Sequence, residues 1–150
     1  MARSRSYRDL IAWQKAMKLA KAAYRLSNDL PRNEAYGLIS QIQRAAVSVP
    51  SNIAEGHGRL TDLQFRHFLG NARGSLYELQ TQVELSHDLR YISVEKLKDF
   101  MGKSSEVARL VNGLITALRD LREPAKKNIT PLTAQSAANS ASSAMKERYS

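Results

Sequence analysis

Apolar residues recur at steps of three and four through four successive segments of this chain, and no segment alternates apolar with polar residues in a β-branched run. A helix face repeats every 3.6 residues and a strand face every two, so this periodicity rules on the fold before any other feature does. No sheet is expected. The segments predict helices of about 22 to 28 residues, each about 33 to 42 Å long at a rise of 1.5 Å per residue. Joined by short loops, four such helices pack most simply as an all-α, antiparallel up-down-up-down four-helix bundle.

The first helix is expected over residues 6–28, with Leu10, Trp13, Met17, Ala20 and Tyr24 as its apolar face and Arg8, Lys15, Lys18, Lys21 and Arg25 mostly on another. Leu30 and Pro31 end it, because the residue before a proline is pushed out of the helical region. Asn33 is placed to cap the second helix, with Glu34 in its first turn. That helix is expected to reach about Glu55, with Gly56 as the left-handed closing residue. Thr61 followed by Gln64 fits a capping box for the third, which continues through Phe65, Leu69, Ala72, Leu76, Leu79 and Val83 to about Leu89. Ser93 caps the fourth, whose buried face reads Leu97, Met101, Ala108, Val111, Ile115 and Leu118, and Pro124 closes the domain. The bundle is thus assigned to residues 1–123. Residues 124–150 are rich in Ser and Ala without a sustained apolar face, which predicts a disordered tail in which 133–148 can become helical against a partner.

The second helix carries the most distinctive stretch, QIQRAAVSVPSNIAEGHGR at 41–59. Ile42, Ala45 or Ala46, Val49 and Ile53 lie on one face, while Gln41, Arg44, Ser48, Asn52 and Glu55 recur on another. Residues 45–54 are uncharged all the way round, so this helix is expected to pack on more than one side, with the polar stripe as an oligomer interface. Pro50 removes a backbone donor and its ring meets the carbonyl of Ala46, which predicts a kink. Packing alone accounts for that kink; the functional alternative has Asn52, Glu55 and His57 lining a site between subunits.

Lys and Arg number 23 against 14 acids, a formal charge of +9. Up to Glu123 there are 19 basic and 13 acidic residues, so +6 belongs to the bundle and +3 to the remainder. A field of that sign favours a polyanion without specifying a site, and solubility explains it equally well. With no cysteine, disulfides and thiolate metal sites are excluded. No apolar run approaches the roughly 20 residues of a membrane span, and MARSRSYRD has no signal-like apolar segment. The chain is therefore expected to be soluble and cytoplasmic, with no membrane contact.

Three segments taken together, WQKAMKLAKAAYRLSNDLP, EAYGLISQIQRAAVSVPSNIAEGHGR and FRHFLGNARGSLYELQTQVELSHDL, resemble the four-helix-bundle family named after proteins encoded in intervening sequences of 23S ribosomal RNA genes. The likeness runs in order over about residues 8–121, and RAAVSVPSNIAEG is its most specific part. It implies an antiparallel bundle that assembles as a homopentamer. The related accessory proteins of diversity-generating retroelements are basic pentamers that bind nucleic acid and a reverse transcriptase, so the resemblance implies those partners as well. One departure is plain: where the family usually reads ELET, this chain has Glu78, Leu79, Gln80 and Thr81. Gln80 can replace a carboxylate only by hydrogen bonding.

Arg59, Arg66, Arg73, Gln80 and His87 lie seven apart and drift slowly round one side of the third helix. Guanidinium matches phosphate bidentately, so the three arginines on this line are candidates for nucleic acid, Arg66 and Arg73 foremost; they match Glu or Asp of the next helix or subunit equally, and the 13 acids of the bundle favour an ion pair for at least one of them. The basic stripe of the first helix has no acid between Asp9 and Asp29 and is the better nucleic-acid face, a solvated lysine face being the alternative. A di-iron bundle needs two Glu-x-x-His pairs, and the chain has only Glu84 with His87. There is no Gly-rich phosphate loop and no nucleophile elbow; Gly56, Gly58, Gly70 and Gly74 fit helix ends and close packing, and Ser75 and Asn71 have no base spaced to activate them. The sequence therefore points to a noncatalytic oligomeric module, without cofactor or metal, that binds nucleic acid, RNA or a ribonucleoprotein foremost. The alternative is a protein-interaction scaffold, such as an accessory subunit of a reverse transcriptase.

Overall fold

The computed structural model describes residues 3–120, and the expectations for 124–150 lie outside the described residues. Four helices account for most of them: α1 (Ile11–Ser27), α2 (Leu38–His57), α3 (Asp62–Asp88) and α4 (Val94–Asp120). Each packs on its neighbours in the chain and α1 also packs on α4, so the four close into a ring around one core. No described helix is long and apolar enough to cross a membrane.

Caps fix most of the boundaries. The Thr61 hydroxyl accepts from the Gln64 amide (3.2 Å) and the Ser93 hydroxyl from the Lys96 amide (3.2 Å), as the sequence indicates. At the end of α3, Arg90 takes a left-handed conformation (φ 65°). Its amide bonds the His87 carbonyl (2.8 Å) and that of Tyr91 bonds the Ser86 carbonyl (2.9 Å), the paired closure that usually recruits glycine.

Three boundaries differ from expectation. Residues Tyr7–Asp9 form a separate 3-10 turn capped by Ser6, and α1 begins only at Ile11. Asn33 does not cap α2; it lies in a 3-10 turn, Arg32–Glu34, and the helix starts at Leu38. Glu34 replaces it, because its Oε2 accepts from the Leu38 amide (3.1 Å) while Oε1 accepts from the Tyr91 hydroxyl (3.1 Å). That fold-back uses the space at Gly37, where a Cβ would stand 2.6 Å from Glu34 Oε2. The hydrogen bond to Glu34 raises the Tyr91 hydroxyl above its usual pKa, with burial and the carboxylate charge acting the same way. The bond therefore holds at neutral pH and is lost as pH climbs through the raised value.

Gly56 is the third. It does not close the helix in the left-handed region, since no described glycine has a positive φ. It lies buried inside α2, which continues unbroken past Pro50 to His57. A Cβ on Gly56 would meet Phe68 Cβ at 2.7 Å and Phe65 Cδ2 at 2.9 Å, so its bare backbone is what lets the end of α2 lie on the start of α3.

The core face of α2 and that of α3 are those the sequence marks: Ile42, Ala45, Ala46, Val49 and Ile53 against Phe65, Leu69, Ala72, Leu76, Leu79 and Val83. In α1 the buried stripe is instead Ala12, Ala16, Leu19, Ala23 and Leu26. Trp13, Met17, Ala20 and Tyr24 lie about 110° away round the helix at 100° per residue, and Tyr24 is 45% exposed. In α4 the core is carried by Phe100, Ser104, Val107 and Val111, with Leu97, Met101, Ala108, Ile115 and Leu118 only partly covered. Three alanines share the interior stripe of α1 with Leu19 and Leu26 because alanine permits close approach to both α2 and α4; Trp13, Met17 and Tyr24 remain outside it.

The glycines give a test of opposite signs. Gly56→Ala is expected to lower stability by about 1–3 kcal/mol through overpacking, less a helix-propensity gain of about 1 kcal/mol. Gly74 and Gly102 have nothing within 4 Å of an added Cβ, so alanine there is expected to raise stability by up to about 1 kcal/mol each. Urea unfolding of the three variants measures both.

Candidate functional site

The basic stripe of α1 divides into compensated and open members. Lys15 Nζ lies 3.3 Å from Glu106 on α4, so its charge is locally balanced. The Arg8 guanidinium stacks over the Tyr7 ring, 4.7 Å from its centroid. Lys18, Lys21 and Arg25 make no side-chain hydrogen bond or ion pair among the described residues, and α1 itself contributes no acid. Lys21 and Arg25 border a groove of about 580 Å³ between α1 and α2, floored by Trp13, Met17, Ala20, Val47, Pro50 and Ala54. Trp13 packs edge-on against Tyr7 at 5.2 Å, and Tyr24 stands beside the two cations at the rim. The groove is the second side of α2: the uncharged run around Pro50 faces it.

The polar stripe of α2 lies on the other flank, toward α3. Ser48 and Ser75 share a hydrogen bond of 2.7 Å, and the Asn52 amide donates to both the carbonyl (2.8 Å) and the hydroxyl (2.9 Å) of Ser48. Ser48 and Asn52 are thus engaged in the seam between α2 and α3 of the same chain. Gln41 and Arg44 are exposed, and Glu55 pairs with Arg59 (2.8 Å). The proposed trio of Asn52, Glu55 and His57 is not gathered into one site, since His57 turns to the Ser4 carbonyl (2.9 Å). Nearby, Arg3 clamps the turn between α2 and α3, donating to the carbonyls of His57 and Arg59 and pairing with Asp62 (3.0 Å).

The arginine line has three different fates, and its first member, Arg59, lies in the turn before α3 and not on the helix. Arg59 pairs with Glu55 and lies over the Phe68 ring (4.6 Å), so at least one arginine of this line is ion-paired, as expected. Arg73 donates to the neutral amide oxygen of Asn112 (3.1 Å). Arg66 has no partner among the described residues, and its Nε is wholly buried. All three line one hollow of about 710 Å³ over the first half of α3, together with His67, Leu63, Phe68 and Ile115. No acid lines it. Gly70, expected to serve close packing, borders this hollow with open space around it, and Gly74 is likewise open.

Further along α3, the Gln80 amide donates to the Ser104 hydroxyl (3.0 Å), which donates on to the Met101 carbonyl (3.1 Å). His87 sits 3.6 Å from Asp88 and Glu84 is exposed. Among the described residues no three His, Asp or Glu side chains gather in metal-binding geometry.

The sequence profile of the 23S rRNA-intervening sequence protein family matches residues 8–113. The chain belongs to that family. No curated protein matches it. A solved structure from Bacteroides thetaiotaomicron, described as a protein with unknown function from the S23 ribosomal protein family, has the same fold at a TM-score of 0.65. The alignment covers 70% of this chain and 98% of that one, at 24% identity. In this member of the 23S rRNA-intervening sequence protein family, then, the shared region comprises the bundle through most of α4, and most of both the α1 groove and the α3 hollow falls within it.

The serine contact generates a further test. A double-mutant cycle of Ser48→Ala and Ser75→Ala is expected to give a coupling of about 0.5–1.5 kcal/mol in chemical denaturation, as a hydrogen bond within one chain should. Zero coupling would place the stripe elsewhere.

Proposed function

We propose that this protein is a noncatalytic nucleic-acid-binding module, RNA or a ribonucleoprotein foremost, that works as a homo-oligomer. The observation that carries the reading is the open cationic strip Lys18, Lys21 and Arg25, three side chains on one face of α1 without a compensating acid on that helix. Phosphate binding is driven by release of condensed counterions, for which free cations count and paired ones count little. Tyr24, exposed beside Lys21 and Arg25, adds one ring on which a base can stack, so the face is less purely electrostatic than charge alone suggests. Repetition of the strip in an oligomer supplies affinity through effective concentration.

Self-association is favoured by the α1–α2 groove. Trp13, Met17, Val47 and Ala54 form a continuous apolar strip, with Val47 46% exposed, and a second copy of the chain would cover it. The groove on the opposite flank of α2 is thus a second candidate interface beside Gln41, Arg44, Ser48, Asn52 and Glu55, and the pentamer implied by the resemblance remains the expected assembly. A protein-interaction scaffold is the second reading, and the same groove favours it.

Binding to generic RNA over a salt series tests the first reading. The logarithm of affinity should fall with the logarithm of salt by about 0.7 to 0.9 per phosphate contact. Replacing Lys18, Lys21 and Arg25 together by Ala should flatten that slope by about two to three units, whereas Lys15→Ala should leave it nearly unchanged. Absence of binding at low salt would hand the case to the scaffold. For the assembly, Val47→Glu is expected to dissociate the oligomer in light scattering with helicity retained, and a wild-type monomer at micromolar concentration would overturn it.

A further inference from the structure

We propose that the hollow over the first half of α3 is a binding site for a nucleoside phosphate, taken through its phosphate by Arg66 and Arg73. It lies apart from the α1 strip and does not depend on that strip binding nucleic acid.

Charge is the first argument. Arg59 is neutralised by Glu55, and Arg73 is held by an uncharged amide, while Arg66 has no partner among the described residues. No acid stands among the described lining residues, so within the described chain two positive charges remain uncompensated in one concavity, and they match the two negative charges of a phosphomonoester near neutral pH. Geometry is the second. The buried Nε of Arg66 is an unsatisfied donor, and a buried donor without a partner is costly. Protein atoms cover that Nε, so the edge open to a phosphate is the one formed by the two terminal nitrogens, which have no partner among the described residues and can pair with two phosphate oxygens.

Size and surroundings narrow the ligand. About 710 Å³ is far more than an inorganic phosphate fills and falls within the usual range for small-molecule pockets. Leu63, Phe68 and Ile115 supply apolar walls, and the Arg59 guanidinium lying on Phe68 extends a planar surface against which a base can lie. A free nucleotide and the terminal nucleotide of a nucleic acid present this same chemistry.

Calorimetric titration of the full chain tests the site, using adenosine monophosphate, adenosine, and oligonucleotides with a 5′-phosphate or a 5′-hydroxyl. Adenosine monophosphate is expected to bind saturably and adenosine at least tenfold more weakly. Arg66→Gln should weaken the monophosphate at least tenfold. Gly70→Glu, which places a carboxylate at the rim where an added side chain has open space, should do the same, and both variants should keep wild-type helicity. The triple substitution of Lys18, Lys21 and Arg25 should leave this binding unchanged. A preference for the 5′-phosphorylated oligonucleotide that vanishes in Arg66→Gln assigns the site to a nucleic-acid end; monophosphate binding without that preference assigns it to a free nucleotide. The proposal is overturned if the monophosphate shows no saturable heat, or if both variants bind it as tightly as the wild type. Salt-dependent RNA binding that persists in those variants would leave the α1 reading standing alone.

Discussion

The contact of Gly56 with Phe65 and Phe68 sets the distance between α2 and α3, and the rest of the bundle is arranged around that seam. These two helices make the most extensive contact among the described elements. A side chain at residue 56 would push their joined ends apart, and the buried rows from Ile42 to Ile53 and from Phe65 to Val83 would lose register with one another. The N-terminal segment reinforces the same corner: Arg3 ties the carbonyls of His57 and Arg59 to Asp62 and lies over the Phe65 ring at 5.3 Å. The other end is held by Glu34, which caps α2 and reaches across to Tyr91 in the connection between α3 and α4. Both tethers join segments far apart in sequence, so they order the ends of helices that their own caps would leave to fray.

Helix number, order and the caps Thr61 and Ser93 were legible because periodicity and capping chemistry are local. Thr61 and Ser93 needed only their own neighbours to identify them, and the stripes of α2 and α3 consist of residues that are both apolar and large enough to stand out. The face of α1 was misread for a tertiary reason. Hydropathy gives weight to Trp13, Met17 and Tyr24, whereas the interior selects Ala12, Ala16 and Ala23 because two neighbouring helices approach there. Similarly, Asn33 has the right chemistry for a cap, yet Glu34 wins by virtue of Gly37 and a tyrosine more than fifty residues away.

The basic faces were legible as residue types but not as a ranking. Sequence alone put Lys15 with Lys18, since both lie on the first helix without a nearby acid; Glu106 on α4 separates them. It also set Arg59, Arg66 and Arg73 on one line as equals. Their difference comes from Glu55, Asn112 and the lack of any partner for Arg66 among the described residues, and two of those three facts depend on how α3 is covered by other elements. Charge carries no label of its partner until the fold supplies or withholds one.

Trp13 is the only tryptophan in the chain, and it sits half-buried in the α1–α2 groove, edge-on to Tyr7. Nature has therefore put a single optical reporter at the place where another molecule would cover the surface. Its emission colour tracks the polarity around one indole, free of overlap from any second one. Anything that seats in the groove, whether a second copy or a different protein, must displace water from that ring and will announce itself in the spectrum of the unlabelled protein.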